Sequence, residues 1–266
     1  MAPYIYGKRN AIHVIDIRET LRGLLLAQKF LARVVMGGTD VLFVGTKRQA
    51  RDAVKQVAER CGMHYVSERW LGGTLTNFRT IRSRLARLEQ LEALTSGAGW
   101  ETYSKKMQST LSRELSKIRR NLGGIRNMTR LPGALVVIDV RKEVNALREA
   151  RSLGIPTVCL IDTDSDPDLV SIPIPGNDDA MRAIHFVLSR LADSVEEARR
   201  ARPELPPAPE MSDDLAPPPR RRQRRGGGDS RGGDRGEVRG GAAAAQAPGA
   251  VPVESASAAE GGPAAG

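Results

Sequence analysis

Short apolar runs alternate with helical segments along the first 200 residues, and this alternation most constrains the fold. Four runs are predicted to form buried strands: DVLFVGT at 40–46, MHYVS at 63–67, ALVVIDV at 134–140 and PTVCLID at 156–162. A fifth run, LVSIPIPG at 169–176, contains prolines, which place it at a sheet edge. Because the runs show no polar alternation and helices separate them, they predict a parallel sheet covered on both faces. The predicted fold is α/β, a three-layer doubly wound (flavodoxin-like) sheet of about five strands.

Apolar residues recur every three or four positions between these strands, which is typical of amphipathic helices. The helices are predicted at 19–36, 47–62, 141–154 and after residue 177. The last helix is predicted to begin at an Asn177 cap, with Asp178 and Asp179 in its first turn against the helix dipole. Its apolar stripe is predicted to start at Met181.

One crossover is far longer than a helix and its loops require. The run MHYVS and the run ALVVIDV are separated by 66 residues, whereas about 20–30 would suffice. Apolar residues recur at helical spacing over 81–94 and again over 103–122, with the turn TSGAGW between them. This pattern predicts an inserted antiparallel coiled-coil hairpin at about 78–122 within a domain spanning 1–200.

The positive charge is concentrated in this crossover. The chain carries 41 Lys+Arg and 31 Asp+Glu, a net charge of +10, and residues 69–130 alone contain 13 basic and 4 acidic side chains. A basic excess of this kind indicates a polyanionic partner. The segment 201–266 is rich in Pro, Gly, Arg and Ala and holds equal numbers of basic and acidic residues. It is predicted to be a disordered tail, either simply solvated or touching RNA through its Arg-Gly repeats.

Signals for catalysis, metal binding or a membrane span are weak. Two cysteines and three scattered histidines do not form a metal-ligand pattern, and no apolar run reaches the length of a membrane span. The loop VGTKRQA lacks the spacing of a phosphate-binding Walker loop. The start lacks the pattern of a signal peptide, so the chain is expected in the cytoplasm. We predict no enzyme activity, no catalytic residue, no cofactor and no metal.

An alternative is a nucleotide- or phosphosugar-binding α/β enzyme. It would use the loop from Gly45 to Arg48, where a phosphate could rest on a helix N-terminus, together with the carboxylates of Asp139 and Asp162. The run DTDSDPD does not match a calcium loop and is expected to form turns, with a magnesium site at Asp162–Asp168 as the alternative.

The candidate site is a set of basic residues that could contact RNA phosphates by backbone and shape readout, since few aromatic residues lie near them. Outside the hairpin these are Lys8, Arg9, Lys47, Arg48, Arg69 and Arg126. On the hairpin they are Arg79, Arg82, Arg84, Arg87, Lys105, Lys106, Arg113, Arg119 and Arg120.

Several strings together resemble a known family. They are PYIYGKRNAIHVIDI, FVGTKRQA, RWLGGTLTNF, LGGIRNM, LPGALVVIDV and LGIPTVCLIDTDSDPDLVSIPIPGNDDAMRAI. In order, from about residue 3 to 200, they resemble the bacterial small-subunit ribosomal protein S2 family. The resemblance implies an α/β domain with a coiled-coil hairpin, binding to small-subunit rRNA, and neighbouring ribosomal proteins including the large mRNA-binding protein S1. Relative to the family, the chain is expected to be short at its N-terminus and extended at its C-terminus.

Overall fold

The computed structural model describes residues 1–202, so the predicted tail lies almost wholly outside the described residues. The elements are β1 (Ile5–Arg9), β2 (Ile12–Ile15), α1 (Ile17–Met36), β3 (Val41–Val44), α2 (Arg51–Cys61), β4 (His64–Val66), α3 (Phe78–Ser96), α4 (Lys105–Leu122), β5 (Ala134–Ile138), α5 (Val144–Ser152), β6 (Thr157–Ile161), β7 (Ile172–Pro175) and α6 (Met181–Ala201). Short 3-10 turns occur at Ala2–Tyr4, Ala98–Thr102, Gly123–Ile125 and Pro167–Leu169. No helix in this described part is long and apolar enough to cross a bilayer.

The central sheet has five parallel strands in the order β4-β3-β5-β6-β7. This is the flavodoxin-like order, so the predicted fold class is confirmed. Strand β3 shows why its run has no polar alternation. Val41 and Phe43 pack with the layer of α1, α2 and α6, whereas Leu42 and Val44 pack with α5 and the base of α3 and α4. Both faces of the sheet are therefore buried, and the proline-containing strand β7 lies at an edge, as predicted.

The first 16 residues form a hairpin that the sequence analysis did not predict. Strands β1 and β2 pair antiparallel, and Asn10 and Ala11 connect them with φ values of 49° and 62°. Two consecutive left-handed residues are typical of a type I′ turn, which matches the twist of the flanking strands. The asparagine between two β-branched runs was the available signal.

The predicted start of the last helix was wrong. Asn177 does not cap α6; its side-chain oxygen accepts hydrogen bonds from the backbone N–H groups of Asp179 and Ala180, both at 2.8 Å. The helix begins only at Met181, which is 66% exposed and lies outside the buried stripe. The asparagine side chain therefore stabilises a turn before the helix, where Asp178 points into the protein instead of toward the helix dipole.

Helices α3 and α4 occupy the positions of the predicted hairpin. They face each other through apolar side chains, and Arg87 pairs across them with Glu114 at 3.3 Å. Leu91 and Leu111 are buried, but Leu94 and Met107, farther toward the connecting turn, are exposed. A coiled-coil geometry for this pair, and the domain limits given above, stay predictions.

Candidate nucleic-acid interface

A basic cleft lies where α4 returns to the sheet. It has a volume of about 670 Å³, and α2, the end of β4 and the C-terminal part of α4 line it. Four of the predicted residues meet here, although they lie up to 78 positions apart: Arg48, Arg119, Arg120 and Arg126. The structure adds two basic residues that the sequence analysis missed, Arg51 and Lys55 on α2. Their exposure on an amphipathic helix was visible in the sequence, but their proximity to α4 was not.

A glycine makes this return of the chain possible. A Cβ atom built on Gly124 would lie 2.2 Å from the carbonyl oxygen of Tyr65 in β4, well inside van der Waals contact. Only a residue without a side chain can pass so close to the strand. Gly124, the second glycine in LGGIRNM, therefore allows the end of α4 and Arg126 to lie against the edge of the sheet.

Two glutamates orient the arginines of the cleft. Glu68 pairs with Arg51 at 3.2 Å and with Arg120 at 3.8 Å. Glu92 pairs with Arg119 at 2.6 Å and with Arg126 at 2.9 Å.

The hydrogen bond from Arg119, followed by the charge of Arg126, lowers the pKa of Glu92. Each glutamate thus holds two arginines, so the cleft keeps an excess of positive charge. Arg48 and Lys55 have no ion-pair partner among residues 1–202.

The outer faces of α3 and α4 carry further cations. Within residues 1–202, no ion pair involves the exposed side chains of Arg79, Arg82, Arg84, Lys105, Lys106 and Arg113. The carboxylates of Glu89, Glu92 and Glu114 are already paired with arginines.

One face of α4 combines basic residues with small hydroxyl residues. Ser109, Ser112 and Ser116 line a shallow groove with Arg113 and Lys117. Lys117 was missed by the sequence analysis. Arginine, lysine and serine are among the side chains that contact phosphate oxygens. Because serine is short, it lets a backbone phosphate approach the helix closely.

The base of α3 is held by a carboxylate from α5. Glu149 accepts hydrogen bonds from Trp70 Nε1 at 3.0 Å, Gly73 N at 2.8 Å, Leu75 N at 3.0 Å and Thr76 N at 3.2 Å. Burial alone would raise the pKa of Glu149, but these hydrogen bonds outweigh it and lower the pKa. The string RWLGGTLTNF is thus a structural anchor for α3, and Glu149 is a positioning residue that the sequence analysis missed. Arg69 at its start is exposed.

Lys47 does not face the cleft. Its ammonium lies 2.6 Å from carboxylate oxygens of both Asp178 and Asp179 and 3.6 Å from Asp139. Burial alone would lower the pKa of Lys47, but the hydrogen bonds to Asp178 and Asp179 raise it above its ordinary value. The charge of Lys47 is therefore used inside the protein, whereas the neighbouring Arg48 reaches the cleft.

The carboxylates around Lys47 are also relevant to the possible metal site and to the alternative of a phosphate-binding enzyme. Oxygens of Asp162, Asp178 and Asp179 lie within 4.8 Å of one another, a spacing at which a cation could bind. Lys47 already supplies a cation to two of them. The buried carboxylate of Glu143 fixes the loop from Gly45 to Arg48. It accepts hydrogen bonds from Thr46 N at 3.0 Å and Thr46 Oγ1 at 2.5 Å. The loop is thus built around internal carboxylates, which would repel a phosphate ligand.

Lys8 and Arg9 lie on β1, outside the residues that line the cleft. Both are exposed. They are separate from the main group of basic residues in the structure.

Comparison with known proteins identifies the family. The family profile described as "Ribosomal protein S2" matches residues 1–198. The chain belongs to the ribosomal protein S2 family. It is 59% identical over 217 residues to a protein of Rhodopirellula baltica named "Small ribosomal subunit protein uS2", covering 80% of this chain and 84% of that protein. Proteins of the same name from Syntrophobacter fumaroxidans and Synechocystis sp. are 50% and 47% identical, over 75% and 77% of this chain and 73% and 76% of their own lengths.

Membership gives the chain a structural role in the small ribosomal subunit in translation, and it is not an enzyme. The enzyme alternative is therefore set aside.

Proposed function

We propose that this S2-family chain binds small-subunit rRNA through the basic cleft and the exposed basic faces of α3 and α4. The convergence of Arg48, Arg119, Arg120 and Arg126 on one cleft supports the proposal most directly. These residues come from two distant parts of the chain, and glutamates orient three of them toward a shared space. The hairpin residues Arg79, Arg82, Arg84 and Arg113, with Lys105 and Lys106, extend the positive surface beyond the cleft.

The contact is proposed to be with phosphates rather than with base edges along most of this surface. The cleft and the α4 groove are lined mainly by guanidinium, ammonium and hydroxyl groups. Such groups position a protein on RNA and recognise its shape, because the deep groove of an RNA helix hides the bases. Lys8 and Arg9 on β1 would add a smaller, second contact, whereas Lys47 contributes to the fold.

The protein partners are proposed from the same family membership. Relatives named as small ribosomal subunit proteins support neighbours within that subunit, and the family resemblance adds the mRNA-binding protein S1. The bacterial cytoplasm is the corresponding location. The exposed apolar side chains of α1 and β2, among them Ile12, Ile17 and Leu21, are available for such neighbours.

Charge reversal tests the RNA contact. We expect the double variant Arg82→Glu/Arg113→Glu to bind small-subunit rRNA more weakly, with a shallower dependence on salt. Each lost phosphate contact removes roughly 0.7–0.9 from the slope of log K against log salt concentration. The matched control is Arg148→Glu/Arg182→Glu, which reverses two exposed arginines on α5 and α6. Affinity is measured by filter binding of the full-length chain at several salt concentrations. Equal weakening in both variants would overturn the proposal, because it would mean that only net charge matters.

A further inference from the structure

The apolar seam between α3 and α4 is left open at its distal end. In the middle of the hairpin, Leu88, Leu91 and Leu111 are at most 6% exposed. Toward the connecting turn, Leu94 is 36% exposed, Tyr103 is 38% exposed and Met107 is 47% exposed. These side chains continue the seam by sequence spacing, but the residues that the structure describes leave them partly exposed. The hairpin thus ends in an apolar surface that a second molecule could cover.

This surface forms a groove with one aromatic wall. The groove has a volume of about 550 Å³, and Leu94, Ala93 and Tyr103 line it together with the polar side chains of Arg87 and Gln90. Its size and mixed lining suit a flat, partly polar group such as a nucleobase. The exposed amide of Gln90 offers both a donor and an acceptor to the edge of such a group.

The turn that carries Tyr103 is held in place. The side-chain amide of Gln108 donates hydrogen bonds to the carbonyl oxygens of Trp100 and Tyr103, at 2.9 and 3.0 Å. The rings of Trp100 and Tyr103 lie 6.3 Å apart between centroids and are tilted by 54°, which is within the distance range of aromatic contacts. Ser104 caps α4 by accepting from the backbone N–H of Met107. The aromatic wall is therefore positioned before any ligand arrives.

Charge at this end of the hairpin favours a polyanion over a protein side chain. Lys105 and Lys106 lie two and three positions after Tyr103, and both are exposed with no ion-pair partner in the described structure. Glu101 is the single carboxylate between residues 97 and 107. An aromatic ring with basic residues nearby in the chain is a combination that binds unpaired nucleotides, because the ring stacks on the base while the cations contact the phosphates.

We propose that this groove, between Leu94 and Tyr103, binds an unpaired nucleotide of RNA, with Lys105 and Lys106 on the adjacent phosphates. The inference rests on the proposed function, since it assumes that the hairpin contacts RNA. The groove would add base stacking at one point of a surface that otherwise contacts phosphates and recognises the shape of the RNA. The sequence analysis did not foresee it, because aromatic residues are scarce in the chain as a whole.

The test compares two RNA probes on the full-length chain. One is a single-stranded RNA of about ten nucleotides, and the other is a blunt RNA duplex of about sixteen base pairs. The variant Tyr103→Ser removes the ring and Tyr103→Phe retains it. Tyr6→Ser is the control, because Tyr6 is also an exposed tyrosine but lies on β1, away from the groove. Affinity is measured by fluorescence anisotropy, and the circular dichroism of each variant verifies the helices.

We expect Tyr103→Ser to weaken single-stranded binding by roughly 5- to 150-fold, the range that corresponds to one stacked base. Binding of the duplex should change less than twofold, and Tyr103→Phe and Tyr6→Ser should behave as the parent chain. Trp100 emission should also be quenched by the single strand, whereas the buried Trp70 provides a constant background.

Each other outcome overturns a defined claim. Single-stranded binding that is unchanged in Tyr103→Ser, with duplex binding intact, overturns the nucleotide groove and leaves the proposed function standing. If the parent chain binds neither RNA, both proposals fall. If Tyr103→Ser alters neither affinity but lowers incorporation into small subunits, the groove contacts a protein and the inference is wrong. Should Tyr103→Ser lose helix content, Lys105→Gln/Lys106→Gln is the second variant, and unchanged single-stranded affinity there overturns the inference too.

Discussion

Replacing Glu149 with glutamine tests whether one carboxylate on α5 holds the base of the hairpin. Both of its oxygens accept hydrogen bonds: Oε1 from Trp70 and Gly73, and Oε2 from Leu75 and Thr76. Glutamine keeps one carbonyl oxygen and places an NH2 group at the other position. Because the NH2 group is itself a donor, it cannot accept from the groups that the lost oxygen served.

The expected loss follows from which donors remain unpaired. If the amide nitrogen takes the position of Oε2, the N–H of Leu75, a residue that is 2% exposed, loses its partner, while the exposed Thr76 can bind water. If it takes the position of Oε1, Trp70 and Gly73 lose theirs. Each buried unpaired donor costs about 1–3 kcal/mol, so we expect Glu149→Gln to lower the free energy of unfolding by about 2–4 kcal/mol. For a domain of this size that lowers Tm by roughly 4–16 °C.

The pH dependence gives a second readout. The pKa of Glu149 is lowered in the folded protein, so its stabilisation is complete above its unfolded pKa of about 4.3. That stabilisation is lost as the pH falls through the folded pKa. The difference in Tm between the parent chain and Glu149→Gln should therefore be largest near neutral pH and shrink below about pH 4.

Thermal unfolding followed by circular dichroism measures both effects. The matched control is Glu197→Gln, which neutralises an exposed carboxylate on α6 and should change stability by no more than about 0.5 kcal/mol. The reasoning fails if Glu149→Gln is no less stable than Glu197→Gln. It also fails if the loss in Tm stays the same from pH 7 to the acid range, since the carboxylate would then not be its source.

Two further substitutions test how the loops are held. Lys47→Met should lower the free energy of unfolding by about 3–5 kcal/mol because it leaves the buried carboxylate of Asp178 without its cation. The double variant Lys47→Met/Asp178→Asn should recover part of this loss in urea unfolding, and full additivity would contradict the pairing. Gly124→Ala should cost about 1–3 kcal/mol, because its Cβ meets the carbonyl of Tyr65. Gly72→Ala, with open space around it, should cost less than Gly124→Ala in the same assay.

Much of the fold could be predicted from local patterns. The unbroken run at 41–44 required burial on both sides of the sheet, and the structure places Leu42 and Phe43 in cores on opposite faces. The length of the crossover and its three- and four-residue repeat likewise predicted helices α3 and α4. These elements could be predicted from the sequence because apolar residues recur along the chain with the same period as the secondary structure that buries them.

The partners in hydrogen bonds and ion pairs could not be predicted from such local patterns. The ammonium of Lys47 meets Asp178, 131 positions away, and Glu149 meets backbone groups of residues more than 70 positions earlier. From the sequence, Lys47 was as plausible a phosphate ligand as Arg48. Whether a loop cation faces solvent or an internal carboxylate depends on which strand ends are neighbours and how far each loop extends. Only the packed chain sets those distances, and ion pairs and hydrogen bonds exist only at short range.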